Sequence, residues 1–108
     1  VQECADAVEE LARGCVGITA IIGYPAPSDK PQGRSLHNAA AVCYDGAIRR
    51  RHDKSLLPTY DVFDELRYFE PGPQLDLTDL PGPDGLKLGI SICEDLWNER
   101  DLFTRRLY

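Results

Sequence analysis

Leu86-Lys87-Leu88-Gly89-Ile90-Ser91-Ile92-Cys93-Glu94-Asp95-Leu96-Trp97-Asn98-Glu99 is the stretch on which the fold turns. Its first half is apolar and strand-like, and its second half is acidic and has the composition of a helix opening. Cys93 stands at the junction. A side chain on a strand-to-helix turn is held clear of the sheet with backbone N–H groups beside it, where an acyl-transfer site needs its attacking atom. A free cysteine at the end of a buried strand is also, and more commonly, a small apolar filler, so Cys93 read alone carries both meanings. Glu94 and Asp95 in a first helical turn suit the helix dipole and read as caps; turned outward, they would disturb a thiolate little.

A second stretch lies upstream: Lys54-Ser55-Leu56-Leu57-Pro58-Thr59-Tyr60-Asp61-Val62-Phe63-Asp64-Glu65-Leu66-Arg67-Tyr68-Phe69-Glu70-Pro71-Gly72. It has too little periodicity to be core, yet it gathers a lysine, a tyrosine and a glutamate. Lys54 follows Arg49-Arg50-Arg51-His52, which reads as a solvated strand face, with a phosphate or partner contact as the alternative. On that ground alone Lys54 could be one more surface cation, and Tyr60 and Phe63 ordinary packing residues.

Taken together, Lys-x-x-Leu-Pro-x-Tyr-x-x-Phe-x-Glu-x-Arg-Tyr-Phe-x-Pro-Gly and Gly-Ile-x-Ile-Cys-Glu-Asp-Leu-Trp resemble the nitrilase (carbon–nitrogen hydrolase) superfamily, and within it the glutamine-hydrolysing domains of glutamine-dependent NAD synthetases. The motifs span Lys54 to Glu99, and the strands before them fit as well. The resemblance implies a four-layer αββα sandwich. Cys93 matches the nucleophile, which would form a thioester with glutamine and release ammonia. Lys54 matches the catalytic lysine and, with the backbone N–H of Glu94, would stabilise the oxyanion. Glu65 matches the second glutamate, which orients the lysine and faces the substrate. Tyr60, Trp97 and Glu94 match positions at the glutamine site. The family's general-base glutamate has no match: Glu3, Asp6, Glu9 and Glu10 fall on the polar side of a helix.

Residues 1–108 are therefore expected to be a partial glutamine amidohydrolase domain, without its N-terminal strand, its later strands or the synthetase domain, and inactive by itself. The resemblance implies no cofactor in this segment, with ATP and magnesium serving the synthetase domain. Its implied partners are glutamine, deamido-NAD and ATP through that domain, and further copies of itself in a homo-oligomer. Two other functions stay open: an amidase or nitrilase acting on another small substrate, and a non-catalytic nitrilase-like scaffold. An S-G-G-x-D-S loop downstream would decide between the first two enzymatic readings.

The chain has 108 residues, 43% of them hydrophobic, and a net charge of −6. That balance argues against a nucleic-acid footprint, and no apolar run approaches the roughly 18 residues of a membrane span. Val1 opens an amphipathic segment rather than a signal peptide, and the expected location is the cytoplasm. Cys4, Cys15, Cys43 and Cys93 show no C-x-x-C spacing and no paired histidines, which disfavours zinc. The first three fall on apolar faces and read as buried thiols of a reducing compartment.

Apolar residues at Val1, Cys4, Ala5, Val8, Leu11 and Ala12 predict an amphipathic helix ending near Gly14. Val16 to Tyr24 reads as a buried strand stopped by Pro25 and Pro27. Ser35 to Tyr44 and Ala47 to about Arg51 read as a hairpin turned by Asp45-Gly46, which delivers Lys54 to the sheet edge. Asp61 to Leu66 could form a helical turn. Pro81-Gly82-Pro83-Asp84-Gly85 predicts a turn before the nucleophile strand, and Glu94 to Tyr108 a helix with an irregular start. Strands alternating with helices give the fold class α/β.

Overall fold

The computed structural model describes residues 1–28, 36–55, 57, 68–72 and 77–96. Helix α1 spans Gln2–Arg13, with Glu3 in its first turn and Arg13 in its last, the signs that the helix dipole favours. It ends where the spacing predicts, as Gly14 N–H bonds the Leu11 carbonyl and Cys15 N–H bonds the Ala12 carbonyl. The buried stripe is narrower than the apolar pattern. Val8 and Ala12 are buried, whereas Leu11 and Cys4 are exposed, so Cys4 is not the buried thiol its spacing suggests.

Three antiparallel strands follow, β1 (Ala20–Pro27), β2 (Leu36–Tyr44) and β3 (Ala47–Asp53), in spatial order β1-β2-β3. Strand β1 starts later than expected and runs through both prolines, with Pro25 opposite Asn38 and Pro27 opposite Leu36. The two prolines are two residues apart, so their missing N–H groups fall on one side of β1 and leave the side facing β2 able to pair. This is why they do not stop the strand. The β2–β3 turn has Asp45 at φ 49 and Gly46 at φ 78, the left-handed pair of a two-residue hairpin loop.

The register passes from Cys43 opposite Ile48 to Val42 opposite Arg50, which leaves Arg49 as the extra residue of a bulge. Arg49 folds back on the turn, donating from Nε to the Tyr44 carbonyl at 3.0 Å and from Nη2 to the Asp45 carbonyl at 2.7 Å. Its guanidinium lies 5.7 Å from the Tyr44 ring centroid.

Strand β2 lies between its two neighbours, and Ala39 to Cys43 are buried without a break, on both faces. On one face Ala41 and Cys43 pack with Val8, Ala12 and Cys15, and Ala20, Ile22, Tyr24 and Ile48 close around them. Small residues on β2 let α1 approach the sheet. Burial pushes the Cys43 thiol above its ordinary pKa, helped by neighbouring Cys15 and Glu9.

Strands β4 (Leu77–Asp79) and β5 (Lys87–Gly89) form a separate antiparallel pair, joined through the predicted turn, where Gly82 and Gly85 adopt φ 131 and φ 62. The strand expected over 86–92 is thus reduced to Lys87–Gly89, and Ile90–Ile92 cross irregularly to a 3-10 helix at Cys93–Leu96. No helix among the described residues is long and apolar enough to cross a membrane.

Candidate active site

Strand β3 ends at Asp53, and Lys54 follows with only 1% of its surface exposed. That burial removes the solvated-surface reading of Lys54, because a lysine is almost never fully buried unless its cation is held. Its backbone is strapped on both sides: Lys54 N–H donates to the Asn38 carbonyl at 2.7 Å, and Gly72 N–H donates to the Lys54 carbonyl at 2.7 Å. The strap is the segment Tyr68–Gly72. Glu70 N–H bonds the Leu36 carbonyl, Phe69 bridges Leu36 in parallel, and His37 Nδ1 donates to the Glu70 carbonyl at 3.0 Å.

Gly72 is where the strap touches β3. A Cβ built there would collide with the carbonyl and Cβ of Asp53, so only glycine permits this approach. Asp53 is gripped from its own strand by Arg51, whose Nε lies 2.8 Å from Oδ1 as an ion pair without good hydrogen-bond alignment, and whose Nη2 donates to Oδ2 at 3.0 Å. The arginines of the basic run are exposed, as predicted for a solvated face. His52 departs from it by turning inward.

Cys93 is exposed and has φ 53. A non-glycine residue in the left-handed region costs about 1–2 kcal/mol and persists only where its surroundings impose it. The geometry is that of a side chain forced out at the top of a tight turn, which an apolar filler would not need. The surroundings that impose it centre on Asp95, which is 0% exposed. Asp95 Oδ2 accepts from Ile92 N–H at 3.2 Å and from His52 Nε2 at 3.3 Å, and Oδ1 accepts from Ser55 N–H at 3.1 Å. Asp95 N–H in turn donates to the Ile92 carbonyl at 3.3 Å.

The reading of Asp95 as a cap therefore holds, but its side chain turns inward rather than outward. The carboxylate does cap the turn, accepting from Ile92 N–H as the acidic half of a capping box does, but it points inward and reaches Ser55 and His52, 40 and 43 residues away in the chain. Through it the turn that carries Cys93 is joined to the strand end that carries Lys54. Sequence reasoning singled out Cys93 and Lys54 but missed His52, Gly72 and the inward role of Asp95. Glu65, Tyr60 and Trp97 lie outside the described residues, as does the helical turn expected over 61–66, and the side chain of Glu94 is outside them too.

No protein-family model matches the chain. Curated relatives do. The chain is 38% identical over 94 residues to the glutamine-dependent NAD(+) synthetase of Xylella fastidiosa strain Temecula1, a match covering 87% of this chain and 16% of that protein. It is 42% identical over 83 residues to the enzyme of the same name from Thermotoga maritima, covering 77% and 13%. The solved structure of glutamine-dependent NAD+ synthetase from Acinetobacter baumannii in complex with ADP superposes with a TM-score of 0.78 at 31% identity, over 98% of this chain and 18% of that one. The chain thus spans about one sixth of the relatives it matches.

Proposed function

Because the chain is homologous in sequence and fold to one segment of the glutamine-dependent NAD(+) synthetases, a branch of the nitrilase superfamily, we propose that it is the nucleophile-bearing part of a glutaminase that feeds ammonia to NAD synthesis. The observation that carries this reading is Cys93, exposed at φ 53 on a turn locked to the strand end of buried Lys54.

In this reading the Cys93 sulfur attacks the side-chain carboxamide of glutamine, and the carbonyl oxygen takes the negative charge. The Lys54 ammonium and the Glu94 N–H stabilise that oxyanion. The C–N bond breaks and its nitrogen leaves as ammonia after taking up a proton, with a thioester left on Cys93. Water then adds to the thioester, and glutamate and the free thiol are released. Glu65 orients Lys54, and Tyr60, Trp97 and Glu94 shape the glutamine site. The general base is a glutamate outside these residues, so the domain is completed by further chain. Ammonia passes to a synthetase domain that uses ATP and magnesium to amidate deamido-NAD, in a cytoplasmic homo-oligomer.

Cys93→Ala in the full-length protein tests this. Glutamine-dependent NAD formation is expected to vanish while formation from free ammonia continues. Survival of the glutamine-dependent reaction would remove Cys93 as nucleophile. Peptide mapping after treatment with a glutamine diazoketone is expected to give one adduct, on Cys93, blocked by prior glutamine. An adduct that glutamine does not block would favour an amidase of another specificity.

A further inference from the structure

We infer that Asp95 is a positioning residue for the thioester reaction, the clamp that fixes the Cys93 turn against the Lys54 strand end. The inference rests on the glutaminase reading above. Three observations carry it beyond ordinary capping. Asp95 is 0% exposed, and a carboxylate is buried at a cost that only several good donors offset. A four-residue 3-10 helix needs no such group, since its end could be capped at the surface.

Among the described residues the donors also come from separate places: the nucleophile turn itself at Ile92, the end of β3 at His52, and Ser55, the residue bonded to Lys54. Finally, the turn they hold contains the strained residue. Without the clamp Cys93 has no reason to stay at φ 53, and relaxation of that dihedral swings the thiol relative to Lys54. Displacement of a reacting group by about 1 Å can cost on the order of 100-fold in rate. Asp95 itself needs no contact with glutamine for this.

Asp95→Asn preserves shape but puts an amide donor where one of the carboxylate oxygens now accepts. In the full-length protein it is expected to lower kcat with glutamine by roughly 10- to 100-fold, with KM within about threefold. The maximal rate of Cys93 alkylation by the glutamine diazoketone should fall by the same factor, with ammonia-driven NAD formation unchanged. His52→Ala, which removes one donor, should lower kcat by a smaller factor, and His52→Gln, which keeps an N–H donor, should recover part of it.

Unchanged kcat in Asp95→Asn would overturn the inference. So would a rise in KM alone, which would make Asp95 a substrate contact, or an equal loss of ammonia-driven activity, which would make it a support of the whole fold. If the two His52 variants match wild type, the cross-strand arm of the clamp is refuted. Failure of the underlying glutaminase reading is seen separately, as glutamine-dependent activity surviving in Cys93→Ala.

Discussion

The two faces of β2 are held by different chemistry. Toward α1, Ala41 and Cys43 meet Val8, Ala12 and Cys15 in mainly apolar contact, with a backbone bond from Gly46 N–H to the Cys15 carbonyl tying the end of the helix to the hairpin. Toward the other face, Ala40 pairs across the sheet with His52, and the neighbouring elements bury Lys54 and Asp95. Apolar packing tolerates exchange of similar volumes at modest cost, whereas a buried polar set depends on direction and on every partner being present. The contrast separates two jobs: the α1 face packs the sheet, and the polar face ties the Cys93 turn to the strand end at Lys54.

The sharpest way to break this comparison is Lys54→Met, close in volume and without the charge. If the polar face serves the reaction, glutamine turnover should fall by about 100- to 1000-fold, the usual cost of one oxyanion donor. Stability should fall as well, more than for a surface lysine, because Lys54 is 1% exposed and its neighbours lose a buried cation. Steady-state kinetics and a urea midpoint on the same preparation would separate the two effects. An unchanged rate would leave Lys54 as a structural cation.

A paired comparison comes next. Val8→Ala removes two buried methyls from the α1 face and is expected to cost about 1–3 kcal/mol with glutamine kcat little altered. Gly72→Ala places a Cβ against Asp53 and forces the strap off β3, at a similar cost of about 1–3 kcal/mol, but here kcat should fall too, since Gly72 N–H holds the Lys54 carbonyl. Equal kinetic effects in the two variants would erase the distinction between the faces.

The apolar face was legible in the sequence and the polar face largely was not. Three- and four-residue spacing announced α1, and Asp45-Gly46 announced the hairpin that ends at Lys54. Both are local signals, each sufficient to fix its own element. The errors arose where tertiary context decided. Pro25 and Pro27 looked like strand stops because the sequence does not say which side of a strand goes unpaired. Cys4 shares the spacing of Val8 yet is exposed. Asp95 looked like a surface cap, since no local pattern tells an acid facing water from one that reaches His52 and Ser55 across the fold. Cys93 and Lys54 were found through their neighbours in two motifs rather than through periodicity.

The four thiols give a milder test of the same division. With iodoacetamide near neutral pH, Cys4 and Cys93 should alkylate first, and Cys15 and Cys43 should be protected by burial. Cys43 is protected twice, because its folded pKa is raised and the thiolate is disfavoured. The sign follows. The protonated thiol is the form the core accepts, so its contribution to stability is complete below the ordinary thiol range and is lost as pH rises through the raised value. Intact-mass labelling at stepped pH would show Cys43 reacting only as the fold opens at alkaline pH. Early labelling of Cys43 would mean that α1 does not seal its face of β2.

The smallest expected effect belongs to the exposed ion pair on the β4–β5 hairpin, where Lys87 Nζ lies 2.6 Å from Asp79 Oδ1. The hydrogen bond from Lys87, and then its charge, lowers the Asp79 pKa below its ordinary value. The pair therefore adds stability above the usual carboxylate range and loses it as pH falls through the lowered value. Both side chains are open to solvent, so the gain is screened and small. Lys87→Gln should move the Asp79 titration, followed by carboxyl NMR, back toward the ordinary value, and added salt should do the same to wild type. Glutamine turnover should not change, because the hairpin leads to Cys93 through the irregular residues 90–92, while buried Asp95 bonds the turn directly. A kinetic effect of Lys87→Gln comparable to that of Asp95→Asn would show that the Cys93 turn is set from β5, and the contrast between exposed and buried carboxylates would fail at that point.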